Sequence, residues 1–406
     1  MNTGDTAFVL LSAALVMLMT PGLALFYAGM VRSKNALGTL MQSFIIISVI
    51  SLEWILWGYS MAFGPDKFGL IGGLEWFGLR GVGMTPHPSY GPTVPHQVFM
   101  IYQCMFAVIT PALITGAFAE RMRFGSFLVF SLLWATLVYN PLAHWIWAEG
   151  GWLRRLGALD FAGGMAVHLS SGVAALAAAF LLGKRKGYGS EELKPHNLPM
   201  TLLGAGILWF GWFGFNAGSA LAAGSLAGSA FVATHIAGTV GALAWIGMEW
   251  KVSGKATTLG AASGAVAGLA TVTPASGFVG PISAAFIGLL AGIACYLGIR
   301  AKNSLKYDDS LDVVGIHGVG GVLGLLATGF LASKAVNPDG ADGLLFGNAS
   351  LLGIQALAAL STIAYAFLVT FVLLKLVDRV FELRVPEHEE ISGLDLSQHQ
   401  ETAYNL

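Results

Sequence analysis

Charge is scarce in this chain, and no long hydrophilic stretch occurs before its C-terminal tail. Only 11% of the 406 residues are Asp, Glu, Lys or Arg, and the formal net charge is −1. This composition excludes an ordinary water-facing surface, and the lack of a basic patch argues against a nucleic-acid partner. The tail at 377–406 is too short to bury a core alone, so we expect no soluble domain of useful size.

Cysteine is nearly absent as well. The two cysteines, Cys104 and Cys295, lie in apolar runs and lack the spacing of metal ligands. We interpret both as small buried hydrophobic residues, and the sequence predicts neither a disulfide framework nor a metal site. Because no nucleophile, base and orienting residue occur as a set, we expect neither a cofactor nor an enzymatic activity.

Hydrophobic residues, by contrast, make up 55% of the chain, and the mean hydropathy is +0.71. Apolar runs long enough to cross a hydrocarbon core recur from end to end. The sequence therefore predicts an all-α, multi-pass membrane protein with a transmembrane domain at 1–376. The eleven predicted spans cover residues 7–30, 39–62, 97–119, 125–147, 162–183, 199–219, 229–250, 257–273, 280–299, 312–332 and 349–376.

The basic residues are distributed unevenly between the two sides of this domain. With the N-terminus outside, sixteen of the 21 Lys and Arg residues fall in cytoplasmic segments. The positive-inside rule then predicts an external N-terminus and a cytoplasmic C-terminus, as an odd number of spans requires. The basic residues left outside are Lys67, Arg80, Arg154, Arg155 and Lys334.

Two histidines lie inside the apolar segments, each a short distance after an aspartate. His168 follows Asp160 in the fifth predicted span, and His317 follows Asp312 in the tenth. An ionisable ring within a membrane is costly and usually faces a partner, a cavity or a permeation path. Five spans plus five would give the two segments opposite orientations, so the pattern predicts an inverted repeat followed by an extra eleventh helix.

Long motifs occur along almost the whole chain. They are PGLALFYAGM at 21–30, GYSMAF at 58–63, AER at 119–121, DFAGG at 160–164, WFGWFGFNAGS at 209–219 and DVVGIHGVGG at 312–321. In this order they closely resemble the motifs of the ammonium transporter family, called Amt or MEP and related to the Rhesus proteins. The resemblance implies a homotrimer of eleven-helix subunits, each with its own narrow and mainly hydrophobic pore.

The resemblance implies a recruitment site for ammonium on the outer side. It assigns Trp147, Ser219 and Phe106 to that site, with a hydroxyl to accept a hydrogen bond and rings around the cation. Tyr102 lies one turn before Phe106 on the same helix face, where relatives often have phenylalanine. Without the resemblance, a tryptophan at a helix end is typical of the interfacial belt of a membrane protein.

Below this site the resemblance implies a gate formed by Phe106 and Phe215. Ser219 follows Phe215 by four residues, so both side chains can face one lumen. A bulky apolar pair blocks hydrated ions, because removing water from a charge is costly unless it is replaced. Either phenylalanine alone would be interpreted as core packing.

His168 and His317 resemble the twin histidines of the family, whose rings share a hydrogen bond in the lumen. Burial and like charge both disfavour double protonation of adjacent imidazoles, so we expect one shared proton or none. Such a pair suits a proton relay beside a path for ammonia. Whether ammonia, ammonium or the two parts separately cross the membrane stays open.

Three carboxylates allow more than one interpretation. Asp160 and Asp312 stand where a helix begins and a carboxylate can accept backbone N–H groups, so we favour structural support of the site over contact with the cation. Glu53 is an intramembrane acid that matches no required element of the family. It is either buried against a polar partner or part of a proton route.

The tail at 377–406 also resembles its counterpart in the family, through LRVPE at 383–387 and GLDL at 393–396. In relatives this cytoplasmic segment folds against the inner face and couples subunits, and PII-type nitrogen regulators can dock there. Glu382 stands where glycine commonly precedes the Leu-Arg pair. A solvated, partly disordered tail is the alternative.

These features predict ammonium or ammonia transport for nitrogen uptake across the cytoplasmic (inner) membrane. The alternatives are an ammonium sensor and a Rhesus-like channel for neutral gas. Sensors of the family often carry an added signalling domain, which we do not expect here. A cation site made by Trp147 and Ser219 argues against the gas channel, since a neutral molecule gains little from it.

Overall fold

The computed structural model describes residues 1–404, and helices account for most of that part of the chain. All eleven predicted spans are helical, which confirms the all-α, multi-pass fold. Ten helices in residues 1–404 are long and apolar enough to cross a membrane, whereas the predicted span at 257–273 is a helix of 15 residues. In chain order the spans are α1 Thr3–Met30, α2 Ser33–Phe63, α3 His96–Phe118, α4 Phe124–Leu156, α5 Gly164–Leu182, α6 Leu198–Ala220, α7 Ser225–Ser253, α8 Thr258–Val272, α9 Pro281–Lys302, α10 Val314–Leu331 and α11 Ala349–Phe381.

Short elements connect the spans. An antiparallel hairpin after α2 pairs β1 (Asp66–Lys67) with β2 (Ile71–Gly72). The tail adds α12 (Glu387–Ser392) and α13 (Leu394–His399). Because α11 continues to Phe381, the last span is longer than predicted, and the final two residues of the predicted tail lie outside the described residues. We call the end of the bundle beside α12 and α13 the inner end and the opposite end the outer end.

The two helices that carry the histidines cross in direct backbone contact. A Cβ atom added to Gly172 of α5 would lie 2.2 Å from the backbone nitrogen of Gly318 in α10, so no side chain fits at Gly172. Small residues of this kind let helices approach closely in a membrane. The crossing brings the segments around His168 and His317 together in the centre of the bundle.

Buried ion pairs connect the loops at the inner end. Arg121 is fully buried and donates to the carbonyl oxygens of Ala117 and Asp308 at 2.9 and 2.7 Å. Burial lowers the pKa of Arg121 to about 10, so the guanidinium stays charged at neutral pH. The carboxylate of Asp308 pairs with Arg185 at 2.9 Å. These contacts fix the inner ends of α3 and α5 and the start of α10.

The tail docks on the inner end through α2. The carboxylate of Asp395 accepts the backbone N–H groups of Leu37 and Gly38 at 3.0 and 2.8 Å, so a residue of the tail caps the first helical turn of α2. Asn35 accepts the N–H of Leu394 at 2.8 Å. Glu382 has φ +51°, in the left-handed region that favours glycine, which explains why glycine suits this position.

Candidate functional site

A vestibule of about 210 Å³ opens at the outer end of the bundle. Phe106, Trp147 and Ser219 are in its wall, together with Gln103. Tyr102, which the sequence analysis assigned to the same site, is fully buried behind the wall. Three of the four predicted recruitment residues therefore face one cavity.

Trp147 is the last residue of the helical segment Asn140–Trp147 in α4, and it is anchored at two points. Its indole N–H donates to the carbonyl oxygen of Asp160 at 2.8 Å. Its own carbonyl accepts a hydrogen bond from the guanidinium of Arg154. Both contacts fix the ring against the vestibule, and Arg154 itself lines the same cavity.

The Tyr102 hydroxyl contacts Ser219, which is part of the vestibule wall. The Tyr102 hydroxyl lies 2.9 and 2.8 Å from the carbonyl oxygens of Gly214 and Phe215, and 3.2 Å from the Ser219 hydroxyl. Ser219 donates to the Phe215 carbonyl at 2.9 Å, so its oxygen lone pairs can accept from a ligand. The Tyr102 hydroxyl thus holds the end of α6 in place, and it is not part of the cavity wall.

Two phenylalanines lie between the vestibule and the histidines. The rings of Phe106 and Phe215 have centroids 4.3 Å apart and planes tilted by 31°, and both side chains are buried. On the outer side the Phe106 ring meets Trp147 edge-on, with centroids 6.0 Å apart. On the inner side the Phe215 ring stacks on His168 at 5.9 Å.

The two histidines meet at a cavity of only about 10 Å³. Their Nδ1 atoms are 3.2 Å apart, and the ring planes differ by 17°. Nε2 of His168 is buried without a hydrogen-bond partner in the described residues. A single proton can lie between the two Nδ1 atoms, and one ring then donates while the other accepts. The volume is at the lower limit for one water molecule.

Each histidine lies in a short π-helical turn, Gly164–Leu169 in α5 and Val314–Gly318 in α10. The turn in α5 is held by Asp160, whose carboxylate accepts the N–H groups of Gly163, Gly164, Met165 and Ala166 at 2.7–3.3 Å. Burial raises the pKa of Asp160, although these four donors oppose the shift. With its oxygens occupied by the backbone, Asp160 has a geometry that suits a cap.

The cap of α10 is a different aspartate from the one assigned in the sequence analysis. Asp309 accepts the N–H of Val314 at 2.7 Å, whereas the carboxylate of Asp312 pairs with Lys302. The interpretation of Asp312 as an N-cap is thereby corrected. Spacing could have identified Asp309, because both Asp160 and Asp309 stand eight residues before their histidines.

Gln103 was not predicted as a site residue, and the role of Glu53 was left open. Gln103 lines the vestibule, and its Oε1 atom is buried without a hydrogen-bond partner in residues 1–404. Nothing in its spacing distinguishes it from a packing residue. Glu53 is 1% exposed and lies between α2 and α4, away from the residues that line either cavity.

Apolar helices long enough to cross a membrane, a vestibule at the outer end and a small cavity beside two buried histidines are typical of a membrane channel or transporter. Comparison with known proteins agrees, since the family model described as Ammonium Transporter Family matches residues 7–404. The chain belongs to the ammonium transporter family. It is thus a multi-pass membrane protein, and ammonium transport is the general function that its relatives support.

Relatives of high identity match along their full length. The chain is 53% identical over 405 residues to an ammonium transporter of Bacillus subtilis, covering 100% of this chain and 99% of the relative. It is 52% identical over 404 residues to ammonium transporter Amt1 of Archaeoglobus fulgidus, covering 100% of both chains.

Solved structures show the same architecture. The Mep2 structure from Saccharomyces cerevisiae superposes with a TM-score of 0.90 at 37% identity, covering 96% of this chain and 89% of Mep2. A structure described as a sensor Amt protein superposes with a TM-score of 0.90 at 30% identity, covering 98% of each chain.

Proposed function

We propose that the protein recruits ammonium in the outer vestibule, removes a proton from it, and conducts ammonia past the phenylalanine pair and the histidines. The observation that carries this proposal is a continuous row of rings. Trp147, Phe106, Phe215, His168 and His317 follow one another with centroid distances of 4.3–6.0 Å. The row joins a polar cavity that opens outward to a small cavity beside the histidines.

Recruitment rests on the chemistry of the vestibule wall. The faces of Trp147 and Phe106 attract a small cation more strongly than aliphatic side chains would. The Ser219 hydroxyl donates to a carbonyl, and its lone pairs remain available for an N–H of ammonium. Tyr102 fixes the position of Ser219 from behind the wall.

The phenylalanine pair and the cavity beyond it favour a neutral species. Phe106 and Phe215 offer no hydrogen bonds to replace the water around an ion, so a charged species meets a high barrier at the gate. A cavity of about 10 Å³ has room for a molecule of the size of ammonia and none for a hydrated ion. Loss of a proton to solvent water in the open vestibule leaves neutral ammonia, for which this barrier is absent.

The histidines provide a route for the released proton once it has passed the phenylalanine pair. His168 and His317 share one proton between their Nδ1 atoms at 3.2 Å. A proton that binds Nε2 of His168 allows the shared proton to move from Nδ1 of His168 to Nδ1 of His317. His317 can then release a proton from its own Nε2 on the far side. The ammonia and its proton would then cross separately and recombine inside the cell.

The proposal also covers the membrane, the orientation of the chain, its internal repeat and its partners. The chain lies in the cytoplasmic (inner) membrane with its N-terminus outside and its tail in the cytoplasm, where a PII-type regulator docks. Equal spacing of Asp160–His168 and Asp309–His317 supports an inverted repeat of α1–α5 and α6–α10. His235 supports a homotrimer, because this exposed imidazole in the middle of α7 would otherwise contact lipid.

A sensor is the second candidate. It is favoured by the similarity to the sensor Amt protein over 98% of both chains. A sensor requires ammonium to bind in the vestibule and to change the docking of the tail, without any requirement for flux through the histidine cavity. Binding and flux measured on the same preparation distinguish the two functions.

The test is the current that follows an ammonium concentration jump on a solid-supported membrane with purified protein in liposomes. We expect a saturable current that is lost in the double variant His168→Ala, His317→Ala. His388→Ala, in an exposed position of the tail, is the matched control and should retain the current. Ammonia-driven alkalinisation without current in the wild type would instead favour a neutral gas channel. Ammonium binding with neither flux nor current would favour the sensor.

A further inference from the structure

Four π-helical turns occur in residues 1–404, and only two of them carry the histidines. The other two are Trp54–Gly58 in α2 and Ala135–Tyr139 in α4. π turns are rare and are frequently found at functional sites. Glu53 immediately precedes the first of these turns and Asn140 immediately follows the second, and the two side chains are hydrogen-bonded to each other.

Only one of the two oxygen atoms of the Glu53 carboxyl group has hydrogen-bond partners. Oε1 accepts hydrogen bonds from Asn140 Nδ2 at 2.8 Å and from Thr136 Oγ1 at 3.0 Å. Oε2 is buried without a partner and packs against Gly58, where an added Cβ atom would lie 2.2 Å away. Trp57 donates to Thr136 at 3.0 Å and completes the cluster between α2 and α4.

No cationic group compensates a charge at this position. No Lys, Arg or His nitrogen in the described part of the chain lies within 4.0 Å of the Glu53 carboxyl oxygens. The titratable groups that face it are Cys104 of α3 and Tyr139 of α4, and neither is a cation. An ionised carboxylate buried in this way would be costly, whereas the neutral acid removes the charge by binding one proton.

We propose that Glu53 is a proton-binding site and that its hydrogen bond to Asn140 fixes the position of Trp147. The Asn140 amide that bonds to Glu53 begins the helical segment whose last residue is Trp147. The Glu53–Asn140 bond therefore sets the start of the segment that carries the ring into the vestibule. Glu53 acts as a positioning residue, and only its effect on Trp147 rests on the proposed function.

The bound proton is tested by infrared spectroscopy, independently of transport. The difference spectrum between the wild type and Glu53→Gln in lipid membranes at neutral pH should contain the C=O stretch of one protonated carboxyl group. Raising the pH should convert this band to a carboxylate band. A difference spectrum that shows an ionised carboxylate at neutral pH overturns the proposal.

The positioning role is tested by ammonium-induced current. Glu53→Gln keeps a neutral acceptor for Asn140 and Thr136, so its apparent KM at neutral pH should stay within about twofold of the wild type. Glu53→Ala loses these hydrogen bonds, and its apparent KM should rise about tenfold with a nearly unchanged maximal current.

Two results would contradict the positioning role. One is a Glu53→Gln variant that loses affinity as strongly as Glu53→Ala; the other is a Glu53→Ala variant whose apparent KM equals that of the wild type. If the wild type carried no current at all, the proposed transport function would fail, and the infrared result would still decide whether Glu53 binds a proton.

Discussion

The starts of α5 and α10 share one motif, but the residues around the two starts differ. Each has an aspartate eight residues before its histidine and a π turn at the histidine itself. Asp160 accepts four backbone N–H groups with both of its oxygens. Asp309 accepts the N–H of Val314 with one oxygen, and its other oxygen is buried without a partner in the described residues.

The neighbours of the two caps differ more than the caps do. No ion pair in the described residues involves Asp160, whereas Asp309 stands between the Asp308–Arg185 pair and the Asp312–Lys302 pair. Asp160, the outer cap, is bonded only to backbone groups. Asp309, the inner cap, lies within a network of charged side chains. We therefore expect changes in the surrounding charges to affect the start of α10 more than the start of α5.

The largest effect is expected at Asp160. Asp160→Ala leaves four buried N–H groups without an acceptor, and each costs roughly 1–3 kcal/mol. We expect loss of folded protein in detergent, measured by thermal unfolding. Asp160→Asn keeps one oxygen acceptor and should retain part of the stability. A stable Asp160→Ala protein would show that backbone capping is not the role of this carboxylate.

The crossing of the two helices is the next most sensitive position, and it is asymmetric. A Cβ atom at Gly172 would lie 2.2 Å from the backbone of α10, whereas one at Gly318 would lie 3.6 Å from α5. Gly172→Ala should destabilise the protein by roughly 1–3 kcal/mol through overpacking and should reduce ammonium-induced current. Gly318→Ala is the matched control, and equal effects of the two variants would contradict the asymmetry.

A smaller loss of stability is expected at the inner cap. Asp309→Ala removes the acceptor of the Val314 N–H group and should cost about 1–2 kcal/mol in unfolding free energy, a typical value for an N-cap. The measurement is denaturant or thermal unfolding beside Asp160→Ala. If Asp309→Ala destabilised the protein as strongly as Asp160→Ala, the two caps would not differ as described.

The smallest effect is a pH dependence of stability that belongs to Asp309. Burial raises the pKa of Asp309 to about 6, although Lys302 opposes the shift. Because the folded state then binds the proton more tightly than the unfolded state, stability should fall as the pH rises. Between pH 5 and pH 6 the change is about 1 kcal/mol. Thermal unfolding of Asp309→Asn should lack this component, and an identical pH profile would count against it.

The sequence predicted the spans and the meeting of the histidines, because both follow from simple physical rules. Long apolar runs must cross the bilayer as helices, and a histidine in such a run needs a partner or a lumen. The assignment of Asp312 was wrong because it used the nearest acid before His317. The carboxylate that reaches the N–H groups of a helix start depends on the loop conformation, and Asp312 has φ +64° in that loop.

Other features depend on contacts that a linear pattern does not contain. The partner of Glu53 is Asn140, 87 residues away and on a different span, so the role of this acid required the packing of α2 against α4. The π turns beside Glu53 and Asn140 likewise leave no signal in the sequence, because WILWG and ATLVY are ordinary apolar segments. The burial of Tyr102 behind the vestibule depends on the approach of α6.

The cap that Asp395 provides for α2 has a consequence for the order of assembly. Asp395 is synthesised 357 residues after Gly38, whose N–H group it accepts. At a translation rate of roughly 5–20 residues per second, this interval lasts between about 18 and 70 seconds. During that time the N–H groups of Leu37 and Gly38 lack the carboxylate that accepts them in the complete chain. The closing contact of the second helix is thus among the last to form, and a ribosome that stops early leaves a bundle whose inner end is unfinished.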